Sequence, residues 1–162
     1  MRRHTIAFAL LALTPLSCGG GDVTGPLGES LCNTRLGLEV CVDRAEVRQG
    51  RSVTVTIENV SAGPIFKDGC ATKAVGKTSS EAAFEEVYNP TLRCGSGAGP
   101  AEIVAAMVEL EPGEVLEESV EIPFFAFQGF YRVNVWVLDE AGELAAPRPA
   151  FSGTFEVFRT AD

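Results

Sequence analysis

Histidine is all but missing from this sequence: the one copy, His4, lies in the N-terminal leader of a 162-residue chain. The remainder has no imidazole for general base work, no Ser-His or Cys-His nucleophile pair and no histidine metal ligand. Basic side chains are also scarce, 13 against 22 acids, for a formal charge of −9. Loss of residues 1–17 removes Arg2 and Arg3, leaving 11 bases against the same 22 acids and a charge of −11. Phosphate binding needs clustered Lys and Arg, so nucleic acid is disfavoured as a partner, and so is a polybasic contact with anionic lipid. No Cys-x-x-Cys pair occurs, which argues against a four-thiolate zinc site. No Gly-x-x-x-x-Gly-Lys-Ser/Thr run exists to cradle phosphates. Asp139-Glu140-Ala141-Gly142-Glu143 lacks the alternating ligand spacing of a calcium loop. Adjacent acids such as Glu85-Glu86 and Glu117-Glu118 point to opposite faces of a strand, as solvated surface does, and not together as a catalytic pair. The expectation is a protein that is not an enzyme, with no cofactor and no metal.

The leader is informative. Met1-Arg2-Arg3-His4 is a positive start, and Ile6 to Leu13 is an apolar run too short to span a bilayer permanently. Thr14-Pro15-Leu16-Ser17-Cys18 follows, then Gly19-Gly20-Gly21-Asp22. An apolar run ending in Leu-Ser-Cys resembles the lipobox of bacterial lipoproteins, although Pro15 stands where that pattern carries Leu or Val. The resemblance implies cleavage after Ser17, diacylation of Cys18 and a membrane partner through the lipid. Several acyl chains anchor stably where one is marginal. Gly19 after the cysteine, where Asp would signal inner-membrane retention, favours the outer membrane or the cell surface. The alternative is an ordinary secretory signal that leaves Cys18 as a spare thiol. The organisation expected is signal peptide at 1–17, a Gly-rich flexible tether at 18–30, and one folded domain at 31–162.

Four cysteines remain: Cys32, Cys41, Cys70 and Cys94. An even number in an exported chain implies two disulfides, with three possible pairings. Sequence proximity favours Cys32–Cys41 and Cys70–Cys94.

The folded part reads as strands. From Tyr131 the chain alternates strictly, with Tyr131, Val133, Val135 and Val137 on one face and Arg132, Asn134, Trp136 and Leu138 on the other. Ser52 to Asn59 alternates as cleanly, with Val53, Val55 and Ile57 inward. Leu36 to Val42 and Ala45 to Arg48 read as a strand broken at Asp43-Arg44. Ile65-Phe66 opens another strand. Ile103 to Leu110 reads as a strand with Val104, Val108 and Leu110 on one side. Glu111-Pro112-Gly113-Glu114 fits a type II turn. Val115 to Ile122 returns, with Glu118 on its apolar face, where a bulge is expected. Phe124, Phe125, Phe127 and Phe130 are too many for one face, so some are expected to plug the end of the fold. Gly153 to Phe158 is the last strand, with Phe155 and Val157 inward. Seven to eight strands with turns between them imply an all-β sandwich. Asn59-Val60-Ser61 matches a glycosylation acceptor, a chance match beside a bacterial leader.

The strand ending in Asn59, the Leu110-Glu-Pro-Gly-Glu114 turn and Gly129-Phe-Tyr-Arg-Val133 together resemble bacterial immunoglobulin-like domains, most nearly the Ig-like intracellular proteinase inhibitors. The resemblance covers roughly residues 50–138. It implies an immunoglobulin-like antiparallel β-sandwich in which Tyr131 forms the tyrosine corner. It also raises, as the alternative function, proteinase inhibition through an inter-strand loop. Export and the cysteines depart from that family. The leading expectation is a non-catalytic cell-envelope lipoprotein that binds or supports a protein or carbohydrate at the surface. Trp136 and Arg132 are the candidate binding residues, provided their face is not covered by another strand or by the link carrying Pro147 and Pro149.

Overall fold

The structure is a computed structural model, and it describes residues 24–77, 79, 82–84 and 100–159. Cys18 and Cys94 fall outside these residues, as does the leader. Twelve short strands and one helical turn are described, in two facing layers: β1 (Cys32–Arg35), β2 (Leu38–Val42), β3 (Glu46–Arg48), β4 (Ser52–Asn59), β5 (Ile65–Asp68), β6 (Lys73–Lys77), α1 (Pro100–Ala105), β7 (Met107–Leu110), β8 (Val115–Glu121), β9 (Gly129–Val135), β10 (Val137–Leu138), β11 (Ala150–Phe151) and β12 (Phe155–Phe158). Among the described residues no helix is long and apolar enough to cross a membrane.

One layer is the sheet β1-β2-β4-β8. The other is built on β9, flanked by β6 on one side and by β11 and β12 on the other, with β3 outside β12. A three-stranded sheet, β10-β5-β7, extends this second layer beyond Trp136. All pairs are antiparallel except β12 with β3, which is parallel. The count exceeds the expected seven or eight because β1, β6 and β11 come from stretches not read as strands, and because two expected runs are divided, β2 from β3 at Asp43–Ala45 and β9 from β10 at Trp136. The core lies between the layers. Val40, Val53, Val55 and Ile57 meet Val133, Val135, Phe155 and Val157, all of them fully buried. Each such side chain stabilises the fold by about 1.5–3 kcal/mol.

The break at Asp43-Arg44 has a clear cause. β2 belongs to the first layer and β3 to the second, so the chain crosses between them there. Asp43 holds the crossing point, its Oδ1 accepting from Thr54 N at 2.9 Å while its own N–H donates to Thr54 O at 3.0 Å. The turn after Leu110 is as the sequence suggests, with Glu114 N donating to Glu111 O at 2.9 Å and Gly113 at φ 78°. Tyr131 fills the core, and its hydroxyl donates to Phe127 O at 2.9 Å. Burial holds the phenol pKa above its ordinary value.

Several expectations need correction. Residues 100–105 form α1 and not a strand, so Val104 is exposed; Pro at the first helical position, where no N–H is needed, favours this. β8 pairs with β4 without a bulge, from Ser52–Glu121 to Glu58–Val115. Glu118 is accommodated by an ion pair with Lys67 of β5, Nζ to Oε1 2.6 Å, and the lysine side chain is wholly buried. Phe124 and Phe125 do not plug the fold: they are 79% and 90% exposed.

Cys32 and Cys41 are disulfide-bonded across the β1–β2 hairpin. Cys70 is also in a disulfide; the expected partner, Cys94, lies outside the described residues. The part of the expected tether that is described, from Thr24 to Ser30, closes on itself through a Thr24–Ser30 bridge. It leads into the notch between β11 and β12, where Gly153 N donates to Leu31 O at 3.0 Å. The chains approach so closely that a Cβ on Gly153 would sit 1.9 Å from Ser30 O, which leaves glycine as the residue that fits.

Candidate functional site

The outer face of β9 carries the most unusual side-chain grouping. Alternation along the strand puts Arg132 and Asn134 on this face, and Arg132 Nε donates to Asn134 Oδ1 at 3.1 Å. Register brings up the neighbours: Val75 of β6 lies opposite Arg132, Lys77 opposite Phe130, and Phe151 of β11 opposite Asn134. The Arg132 guanidinium sits 4.0 Å from the Phe151 ring centre and 4.4 Å from that of Phe84. Arg35, at the end of β1, lies 5.4 Å from the Phe151 ring centre, and Lys77 Nζ lies 4.6 Å from that of Phe84.

Arg148, on the link between Pro147 and Pro149, approaches the same cluster. Burial, and then the charges of Arg35 and Arg148, bring the Arg132 pKa down to about 10. Arg132 is 8% exposed, yet two open clefts of about 460 Å³ each flank it. One is lined by Lys77, Phe84, Arg132 and Phe151 with Glu29 at its side, and the other by Phe84, Arg132, Pro147 and Arg148.

This arrangement concentrates positive potential over aromatic surface in a protein that is otherwise acidic. Cation–π contact contributes roughly 0.5–2 kcal/mol per pair and fixes the guanidinium plane. Such a surface suits a carboxylate, sulfate or phosphate group, or an acidic sugar stacked on a ring. Among the described residues no group of three or more His, Cys, Asp or Glu side chains is placed to hold a metal ion. The Asp139 carboxylate caps its own turn, with Oδ1 accepting from Ala141 N at 3.0 Å and Glu143 N at 2.9 Å.

Of the two binding residues expected from the sequence, Arg132 lies at the centre of this grouping. Trp136 does not join it as a solvent-facing ring. It is 6% exposed and sits where β9 is interrupted, its carbonyl accepting from Asp68 N at 2.9 Å. No family model and no curated protein matches the chain. Its fold overlaps only loosely with solved structures. One is the alkylpurine DNA glycosylase AlkC of Pseudomonas fluorescens, bound to DNA containing an abasic site analog, at 16% identity and TM-score 0.31. That overlap takes in 77% of this chain and 31% of the glycosylase. Another is a family 123 glycoside hydrolase from Clostridium perfringens, at 13% identity and TM-score 0.29, covering 71% of this chain and 22% of that one. The chain thus spans about a third of the first and about a fifth of the second.

Arg35, Lys77, Phe84, Arg148 and Phe151 were not singled out in the sequence. Apart from Arg148 and Phe151, three residues apart, they come from separate segments; strand register places Lys77 and Phe151 beside β9, and the loops that carry Phe84 and Arg148 fold over them.

Proposed function

We propose that this chain is a non-catalytic lipoprotein of the bacterial cell envelope, anchored through Cys18, whose immunoglobulin-like sandwich binds an acidic carbohydrate or protein surface around Arg132. The anchor reading rests on the Leu-Ser-Cys leader, and the disulfide is compatible with export. The immunoglobulin-like reading is supported by the two layers, the crossing of the chain at Asp43, and the hydrogen bond from the Tyr131 hydroxyl to Phe127 O.

The observation that carries the binding role is the convergence of Arg35, Lys77 and Arg132 on the two rings of Phe84 and Phe151, with Arg148 close enough to act on the Arg132 charge. Like charges gathered in one place raise each other's cost, and an acidic ligand relieves it. Calorimetric titration with oligogalacturonate against neutral maltooligosaccharide tests this. Binding of the acidic sugar that weakens at least tenfold in Arg148→Ala and falls with salt is expected. Equal heats from the two sugars, or an acidic response unchanged in Arg148→Ala and Arg35→Ala, would refute it. For the anchor, fatty-acid labelling should mark the wild-type chain and spare Cys18→Ala.

A further inference from the structure

We infer that the turn carrying Phe124 and Phe125 is a membrane-inserting wedge, a second lipid contact that acts beside the anchor. For its geometry this rests on the proposed acylation of Cys18.

The turn is built rather than loose. Ala126 N donates to Pro123 O at 2.9 Å, which folds the backbone and puts the two phenylalanines at the tip. Three groups brace it from behind. Gln49 Nε2 donates to Ala126 O, the Tyr131 hydroxyl donates to Phe127 O, and the Phe124 ring lies over Gly50, where a Cβ would meet Cδ2 at 3.0 Å. Yet the two rings face out, 79% and 90% exposed, with Phe127 behind them at 46%. Rigid support combined with exposed aromatic surface fits a contact whose partner is absent, since solvent gives no reason to hold two rings outward. The folded backbone is also unlike the extended strand that a protease cleft takes up. Arg159 lies beside the rings, and the backbone carbonyl of Arg51 accepts the Ile122 N–H at the foot of the turn. Arginines placed there reach headgroup phosphates, while Glu121 on the same end limits the pull of anionic lipid.

The chain leading to the anchor makes a bilayer the favoured partner. The first described residues pack on Thr154, one residue before β12, which ends at Phe158 beside the turn; Gln49 N donates to Phe158 O at 3.1 Å. From Thr154 to Phe158 the strand spans about 13 Å. Seven residues from Gly25 back to Cys18 reach at most about 25 Å. An acylated Cys18 can therefore lie at or beyond the level of the two rings, which keeps the bilayer at high effective concentration before them.

The test uses the full chain with Phe125→Trp, purified from membranes of expressing cells into phosphatidylethanolamine–phosphatidylglycerol vesicles with brominated acyl chains. Trp136, buried in the fold, gives a background measured in the parent chain. Emission from Phe125→Trp should fall at least about twofold with bromine and resist aqueous iodide. Emission indifferent to bromine while the protein floats with the vesicles overturns the wedge. Shielding from both quenchers reports a protein partner at this turn and overturns it equally. Failure of the anchor reads separately, as an unmodified Cys18 by mass spectrometry. In that case the chain is added to preformed vesicles, where the wedge alone should give binding that Phe124→Ser with Phe125→Ser lowers about 100-fold, roughly tenfold per ring. No binding at roughly 1 mM lipid would then dismiss the wedge as well.

Discussion

Removing Glu118 should damage this protein far more than removing the lysine that faces it. The two side chains join the layers, Lys67 from β5 and Glu118 from β8, with Nζ also donating to Asp68 O at 3.2 Å. Their surroundings differ: the lysine side chain is 0% exposed and the glutamate 24%. Glu118→Leu strands an ammonium with no route to water, at a cost of about 3–5 kcal/mol. Lys67→Met leaves a carboxylate that can take up water through its open side, so the cost is nearer that of a charged hydrogen bond, about 1.5–3 kcal/mol. The double change Lys67→Met with Glu118→Leu removes both desolvation costs and should return to within about 1 kcal/mol of the parent, or exceed it. Urea unfolding followed by far-ultraviolet circular dichroism reads all three. With m of about 1–3 kcal/mol/M, Glu118→Leu should lower the midpoint by about 2 M. Equal losses in the two single variants, or a double variant as unstable as their sum, would refute this account of a coupled, unequally buried pair.

Other outcomes follow from the same contacts. Asn59 is wholly buried, with Nδ2 donating to Leu110 O at 2.7 Å and Gly63 O at 2.8 Å, and Oδ1 accepting from Ser61 N and Oγ. Asn59→Ala should cost on the order of 3 kcal/mol in urea melts, and expression in a glycosylating host should leave this site unmodified by mass spectrometry. Tyr131→Phe should cost about 1 kcal/mol at neutral pH. In the parent the folded phenol pKa lies above the unfolded value, so stability falls as pH rises past about 10; Tyr131→Phe should flatten that limb in thermal melts. Burial pushes the Asp43 carboxyl up, but the Arg44 guanidinium and the Thr54 N–H together outweigh it and hold its pKa below the ordinary range. Its contribution is thus present above about pH 4 and lost as pH falls through the folded value; Asp43→Asn should flatten the acid limb. Replacing both Cys32 and Cys41, which are nine residues apart, by Ala should lower stability by roughly 2.5 kcal/mol in the chain-entropy model, seen as a shift between parent and variant melts without reductant.

The sequence and the structure agree where one local pattern decides the outcome. β4 follows from period-two burial, the 111–114 turn from Pro followed by Gly, and the Tyr131 hydrogen bond from its place at the start of a strand; β9 is a strand as its alternation suggests, but both of its faces are covered. The Cys32–Cys41 pairing followed from proximity. Agreement fails where a distant partner decides. Glu118 looked like an interruption because Lys67, 51 residues away, could not be seen beneath it. The first hairpin turns at Leu36 and Gly37, both at positive φ, and leucine gives no warning of that. Residues 103–105 alternate well enough for a strand, yet one helical turn takes them because Pro100 opens it. Arg132 stood out in the sequence, but the side chains around it come from distant stretches that only the fold unites. Some of the four phenylalanines were expected to plug the end of the fold because one face could not hide them all; the brace that holds Phe124 and Phe125 outward is made of Gln49, Gly50 and Tyr131.

The notch between β11 and β12 has a mechanical consequence. Any pull on the chain before Thr24 enters the fold at Leu31, through the bond from Gly153 N, and not at a free strand end. One residue later Cys32 is tied to Cys41 on β2, and β2 is laddered to β4 along its whole length. Tension can therefore draw out Thr24 to Leu31 and peel no further, because the next link is covalent. The force then spreads into the central strand of the first sheet as shear across several hydrogen bonds at once. A domain so wired yields its first few residues as slack and keeps its sandwich whole under load.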